Sequence, residues 1–251
     1  MGQTIAIISA LHEELAEVLD LMPDEQRHNA AARQFWRGHL AGHEVVAVLS
    51  GIGKVAAATT AAVLIGQFRP RAVIFTGVAG GIAPGVAVGD IVVGHSFLQH
   101  DMDASPLFPR HELPGYSRSR FAADPVLAEA LRQAASEAVA WLPGRLDAAT
   151  RASFGLNAPR VHTGKIITGD RFVATAAESA ALRAELSEAL AVDMESAAVA
   201  QVCHDFGVPF GAVRTISDRA DDTAHVDFPA FLHQIARHYS GRIVQGVLSR
   251  L

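Results

Sequence analysis

Between residues 192 and 218 the chain reads V-D-M-E-S-A-A-V-A-Q-V-C-H-D-F-G-V-P-F-G-A-V-R-T-I-S-D, an order that few architectures accommodate. Ser196 through Cys203 are good helix formers with apolar residues at helical spacing, so a helix is expected to open at Asp193 or Met194. Gly207 and Pro209 are its stop, because glycine tolerates the left-handed conformation after a last turn and proline cannot continue a helix. Residues 210–216 then read as a short buried strand ending at Ser217-Asp218. Glu195 thus falls in a helix's first turn and Asp218 just past the C-terminal end of a strand. In open α/β sheets that edge is where ligands bind.

The rest of the chain alternates in the same way. Residues 4–10 are a continuous apolar strand and 13–22 a helix spaced by Leu15, Val18, Leu19 and Met22, which puts Glu14 at a strand-to-helix junction. Residues 33–39 and 44–49 read as strands around the turn Ala41-Gly42-His43, 55–67 as an Ala-rich helix, 72–76 as a strand followed by glycine turns, and 90–94 as another strand. Pro106, Pro109, Pro114 and Gly115 interrupt 99–123, which is expected to be a long loop. Asp124 caps a helix over 124–141 with Pro125 at its first position. Residues 143–159 are polar and irregular, 160–168 a strand and 177–190 a helix, and Asp227 with Pro229 starts a final helix to 248. Such alternation predicts one α/β sandwich domain over 1–251 with a largely parallel or mixed sheet.

At 251 residues, half of them hydrophobic, the chain can bury a sizeable core. A net charge of -5 offers no footprint for nucleic acid. One cysteine, Cys203, excludes an intrachain disulfide and fits a reducing compartment. The start of the chain has no basic region, so no signal peptide is expected. The uncharged run 72–89 approaches membrane-spanning length, but its glycines and Pro84 break a helix repeatedly; a buried strand and turns explain it.

Several motifs invite more than they carry. Ser50-Gly51-Ile52-Gly53-Lys54 suggests a phosphate loop, yet Val48 stands at the first glycine position and Val55 where a Mg-binding hydroxyl belongs. Gly77-Val78-Ala79-Gly80-Gly81 follows a strand like a dinucleotide loop, but Pro84 comes where the helix would run; a tight turn admitting a ligand to the backbone fits better. Nothing adjacent completes a metal set around His100-Asp101-Met102-Asp103, so no metal is expected. Cys203 lies among apolar neighbours, as an inert core thiol does. Taken singly, Glu14, Glu195 and Asp218 are most simply helix-terminus charges. Jointly, they sit at sheet edges.

Seven stretches carry a resemblance: Ile8-Ser9-Ala10-Leu11-His12-Glu13-Glu14, Ser50-Gly51-Ile52-Gly53-Lys54-Val55-Ala56-Ala57, Thr76-Gly77-Val78-Ala79-Gly80-Gly81, Val88-Gly89-Asp90-Ile91-Val92-Val93, Thr168-Gly169-Asp170-Arg171-Phe172, Val192-Asp193-Met194-Glu195 and Val213-Arg214-Thr215-Ile216-Ser217-Asp218. In order and spanning nearly the whole chain, they resemble the nucleoside phosphorylase and nucleosidase superfamily, most closely the bacterial 5'-methylthioadenosine/S-adenosylhomocysteine nucleosidases. The resemblance implies a three-layer αβα sandwich with a central twisted mixed sheet, phosphorylase/hydrolase-like. It implies hydrolysis of the N-glycosidic bond between adenine and a 5'-thio-substituted ribose, without a cofactor, by a cytoplasmic homodimer that binds neither nucleic acid nor membrane.

By the same resemblance, Asp218 is the general acid that protonates adenine N7, Glu14 orients and deprotonates the attacking water, and Glu195 binds the ribose 2' and 3' hydroxyls. Met194 and Arg214 match positions around the ribose, Phe172 stacks on adenine and the backbone of Val173 reads its edge. Leu11, Ile52 and Phe228 match the 5' pocket, and Val78 and Ser217 complete the substrate-binding set. The chemistry asks for this on its own account, since an oxocarbenium-like transition state needs an acid on the leaving-group side and a base on the water side. Related phosphorylases place an arginine and a serine where Phe75 and Val78 stand, and neither of these side chains can hold phosphate. Val78 also departs from the serine common in nucleosidases. The loop from Asp101 to Pro109 matches a region reaching the neighbouring subunit's 5' pocket, with Leu107 or Phe108 as the apolar contact. The alternatives are a futalosine-type hydrolase, an AMP nucleosidase, a phosphorylase, a Rossmann cofactor domain and a nucleoside-binding protein without catalysis.

Overall fold

The computed structural model describes residues 4–156 and 158–251, with the backbone alone for Pro143, His225, Val226 and Asp227. Among them ten strands form one mixed sheet. The N-terminal half supplies β1 (Ile5–Ser9), β2 (Gln26–Ala30), β3 (Arg33–Leu40), β4 (His43–Leu49) and β5 (Ala72–Gly81). The rest supplies β6 (Ile91–Gln99), β7 (Arg120–Ala122), β8 (Val161–Thr168), β9 (Ala189–Asp193) and β10 (Phe210–Asp218). β1 lies parallel to both β4 and β5, β5 parallel to β10, and β8 parallel to β6 and β9. β10 runs antiparallel to β6, and β9 pairs antiparallel with the end of β5. The strands β5, β10, β6, β8 and β9 therefore close on one another, and β1, β4, β3 and β2 extend the sheet from β5.

Alternation along the strands divides the core. Ile5, Ile7, Val45, Ala47 and Ile74 pack with α1 (His12–Asp20), α3 (Pro125–Trp141) and α8 (Arg237–Leu248). Ala6, Ile8, Val46, Val48, Val73 and Phe75 face the other way, against α2 (Lys54–Phe68) and α6 (Ser196–Phe206). Successive strand residues point to opposite faces, so a continuous apolar run such as Ile5 to Ile8 is what a sheet covered on both sides requires. The three layers of the expected sandwich are present.

Local signals in the sequence are honoured where they are chemical. Asp124 Oδ1 accepts from the N–H groups of Val126 and Leu127, capping α3, and Gly207 ends α6 with φ 65°. Other expectations are corrected. The glycines after Thr76 are not turns: β5 continues through them to Gly81. Residues 187–190 are not helical, because α5 (Ala176–Glu185) stops and β9 follows, its Ala-rich run paired on both sides by β8 and β5. α6 opens later than expected, with Asp193 ending β9 and Glu195 as the N-cap residue. Asp218 is the last residue of β10 rather than beyond it. Within 143–159 a short helix, α4 (Ala148–Ser153), interrupts the irregular chain. The final helical segment starts at Ala224 as α7 (Ala224–Phe231), passes through a π-turn at Leu232–Ala236 and continues as α8; the Asp227 side chain, expected at its start, lies outside the described residues. β2 went unforeseen because Gln26–Ala30 is almost wholly exposed and has no apolar alternation.

Candidate active site

The segments leaving β1, β4, β5 and β10, which run one way, and those leaving β8 and β9, which run the other way, together surround a cavity of about 340 Å³. That size suits a small molecule. Ala10 and Leu11 follow β1, Val78 to Gly80 come from β5, and Arg171 to Val173 follow β8. Met194 and Glu195 follow β9, Ser217 and Asp218 end β10, and Ile52 and Phe228 close the wall. Every residue anticipated for substrate or chemistry lines this cavity except Arg214, which lies behind the lining.

Glu14 is held on all sides by backbone. Its Oε2 accepts from the N–H of Ala10 and of Leu11, each at 2.8 Å, and its Oε1 from the N–H of Val78 at 2.9 Å. Burial pushes its pKa above the ordinary carboxylate value, opposed by the Arg214 charge and by these three donors. The glycines of β5 acquire a reason here. A Cβ on Gly77 would sit 2.7 Å from Glu14 Oε1 and 3.2 Å from Arg214 Nη1, and one on Gly80 would sit 3.0 Å from Asp218 Oδ1. Side chains arriving from other elements occupy the space that side chains on this strand would take.

Glu195 has fewer donors. The Gly53 N–H gives its Oε1 a 2.9 Å hydrogen bond. Burial, reinforced by the charge of Asp193, drives its pKa to about 8 against Arg214 and the Gly53 amide. The glycine-rich loop at 50–54 does offer a backbone N–H to an acid, then, and the acid is the protein's own Glu195.

Asp193 is a buried, cavity-lining acid that sequence reasoning left unmarked. Its Oδ2 accepts from Arg214 Nε at 2.8 Å, its Oδ1 from Thr168 Oγ1 at 2.5 Å, and it takes the Ser196 hydroxyl and N–H at the start of α6. The Arg214 guanidinium stacks 4.0 Å over the Phe75 ring, beside both Glu14 and Glu195. One signal was available: Asp193 lies inside the Val192-Asp193-Met194-Glu195 stretch that carries the resemblance.

Across the cavity, Asp218 accepts from Ser217 Oγ at 2.7 Å and from the Ala220 N–H at 2.9 Å, which fixes the carboxyl plane. Phe172 and Phe228 meet edge to face, with ring centroids 5.6 Å apart. Cys203 lies apart in the core, its thiol pushed up by burial. Asp101 pairs with Lys54, and Asp103 binds Ser105; among the described residues no His, Cys, Asp and Glu cluster is placed to hold a metal ion. No helix among them is long and apolar enough to cross a membrane.

Comparison with known proteins gives these features a family. A model of the Phosphorylase superfamily matches residues 4–249. The chain is 37% identical over 249 residues to a 5'-methylthioadenosine/S-adenosylhomocysteine nucleosidase from Actinobacillus succinogenes, covering 98% of this chain and 99% of that one. Its fold is similar to that of the Neisseria meningitidis 5'-methylthioadenosine/S-adenosylhomocysteine nucleosidase solved with methylthio-immucillin-A, at a TM-score of 0.86 and 34% identity over the whole of both chains. It is also similar to the futalosine hydrolase of Helicobacter pylori, at a TM-score of 0.85 and 29% identity, over 99% of this chain and 98% of that one. With motifs, fold and full-length identity in agreement, the chain belongs to the Phosphorylase superfamily and, within it, to the 5'-methylthioadenosine/S-adenosylhomocysteine nucleosidase family.

Proposed function

We propose that this chain hydrolyses the N-glycosidic bond of 5'-methylthioadenosine and S-adenosylhomocysteine, releasing adenine and the 5-thio-substituted ribose. The observation that carries the reading is the convergence of Glu14, Glu195 and Asp218 on one cavity, each almost wholly buried. Asp218 delivers a proton to adenine N7, with its carboxyl oriented by Ser217 and Ala220. As the C–N bond lengthens, its electrons pass to the protonated base and positive charge develops on the ribose. Glu14, locked by three N–H groups, takes a proton from water as that water attacks the anomeric carbon. Glu195 binds the ribose hydroxyls, and the growing sugar charge favours its carboxylate form, against the burial that raises its pKa.

Val78 reaches Glu14 through its backbone, so water activation needs no hydroxyl at that position. Phe172 stacks on the base while the Val173 backbone reads its edge; Leu11, Ile52 and Phe228 meet the 5' group and Met194 the ribose. Arg214 supports both carboxylates from behind. Phe75 lies under that guanidinium and contributes nothing that holds a phosphate nucleophile, which favours water. A single domain over 1–251, working as a cytoplasmic homodimer, completes the reading. The exposed Ile52, Val55 and Leu107 suit a face covered by a second copy.

A futalosine-type hydrolase is the second reading, favoured by the 29% identity to the Helicobacter pylori enzyme. The deciding experiment is adenine release from 5'-methylthioadenosine with and without phosphate, identifying the sugar product. Free 5-methylthioribose formed without phosphate is expected. A strict phosphate requirement with a sugar 1-phosphate product would overturn the hydrolase, and turnover of futalosine alone would transfer the reading to the second.

A further inference from the structure

Three separate loops meet beside the cavity, and the residues through which they meet, Lys54, Asp101 and Asp170, do not line it. The loop after β4 carries Gly53, whose N–H holds Glu195, and then Lys54. The loop after β8 carries Asp170, two residues before Phe172, and the chain leaving β6 carries Asp101. Lys54 Nζ donates to Asp101 Oδ1 at 2.6 Å, the Asp170 N–H donates to Asp101 Oδ2 at 2.9 Å, and the Lys54 N–H donates to Asp170 Oδ1 at 2.7 Å. The three bonds form a closed ring.

The fit around the ring leaves little slack. Gly53 has φ 95° and no side chain to cap α2, so Asp170 supplies from the loop after β8 the carboxylate that a helix N-terminus favours. A Cβ on Gly53 would lie 3.2 Å from Asp170 Oδ1, and one on Gly169 would lie 2.2 Å from His100 Nε2. Displacing any of the three loops therefore displaces the others. Two of them carry groups of the site: the Gly53 amide on the ribose side, and the segment of Phe172 and Val173 on the base side.

We propose that Lys54, Asp101 and Asp170 are positioning residues whose ring locks the ribose-side amide to the base-side segment, and so sets how tightly substrate is held without touching it. This rests on the nucleosidase reading for the identity of the substrate. The effect belongs to binding, because Glu14 and Asp218 are anchored elsewhere, by Ala10, Leu11, Val78, Ser217 and Ala220. An ion pair this accessible, with side-chain exposures of 18% and 32%, also weakens with salt.

The test compares wild type with Asp101→Asn, Lys54→Met, their double variant and Lys54→Arg, measuring steady-state turnover of 5'-methylthioadenosine, adenine binding by calorimetry, and Tm. Loss of the ion pair is expected to raise KM and the adenine Kd about tenfold while kcat stays within about twofold and Tm is unchanged. The double variant should be no worse than either single one, and Lys54→Arg should restore most of the binding. Wild-type KM should rise with salt, and the KM of the variants should not. Unaltered KM in both single variants, or a loss confined to kcat and Tm, would overturn the proposal. So would a raised KM with adenine affinity intact, since that points to the neighbouring subunit's 5' pocket instead. Wild type that binds adenine yet releases none overturns the nucleosidase reading while adenine binding still tests the ring; wild type that does neither overturns both.

Discussion

On one side of the cavity Glu14, Asp193, Glu195 and Arg214 are none of them more than 6% exposed, and all are tied into hydrogen bonds or an ion pair. At the rim Phe172 is 41% exposed and Ile52 57%, and Phe172 meets the Phe228 ring edge to face. The first region is a polar network in a dry core, where each partner left unsatisfied is costly. The second is an apolar rim whose members can shift at little cost. On the proposed roles, chemistry with one fixed geometry is separated from recognition of a flat base and a variable 5' group, and damage to the two should have different signatures.

The sharpest break comes from the acid. Asp218→Asn keeps the shape and one acceptor oxygen but removes the transferable proton, so kcat/KM should fall by about 10³-fold with Tm little changed. Near-wild-type turnover of this variant would remove Asp218 from the acid role. Asp193→Asn strikes the network rather than the reaction. It leaves the buried Arg214 without its counter-charge, which should cost about 3 kcal/mol in denaturant unfolding and about 100-fold in kcat. Full stability would show that Thr168, Ser196 and Phe75 hold this region without the ion pair.

At the rim, Phe172→Ala should raise KM for 5'-methylthioadenosine about tenfold with little change in kcat, because stacking is lost and chemistry is untouched. An equal loss in kcat would erase the distinction between the two regions. The smallest effect is a pH dependence of stability. The pKa of Glu195 in the folded chain, about 8, lies above its ordinary 4.5, so the folded state holds the proton more tightly than the unfolded one. That contribution is fully present below the unfolded value and is lost as pH rises through 8. Glutamine stays uncharged throughout, so Glu195→Gln should melt with wild type near about pH 4.5 and above it by about 5 °C near about pH 9. A constant offset at both pH values would mean that Glu195 is not the group that titrates.

Much of this was legible beforehand. Helix caps such as Asp124 and Gly207 are local chemistry, and so is the apolar run of β1; each is determined by a few adjacent residues. The catalytic candidates were legible through motif resemblance and through their places at element junctions. What escaped depends on partners distant in sequence. The glycines after Thr76 resemble a turn until Glu14 and Arg214 are seen filling the space beside them. Ala189 and Leu190 resemble the end of a helix until β9 takes them in and pairs along β8. Asp193, Lys54, Asp101 and Asp170 are ordinary surface letters in a string, and they acquire meaning only from partners far along the chain.

The hydrogen bond from Gly53 to Glu195 joins positions 142 residues apart, and the Val78 amide reaches Glu14 across 64. A nascent chain makes Glu14 first, Glu195 later and Asp218 last of the three. Contacts of such separation form late, after the intervening segments have folded. A nascent chain that has not reached Asp218 cannot assemble all three carboxylates around one cavity. The order of synthesis itself thus leaves the cavity without its full set of acids until Asp218 has been made.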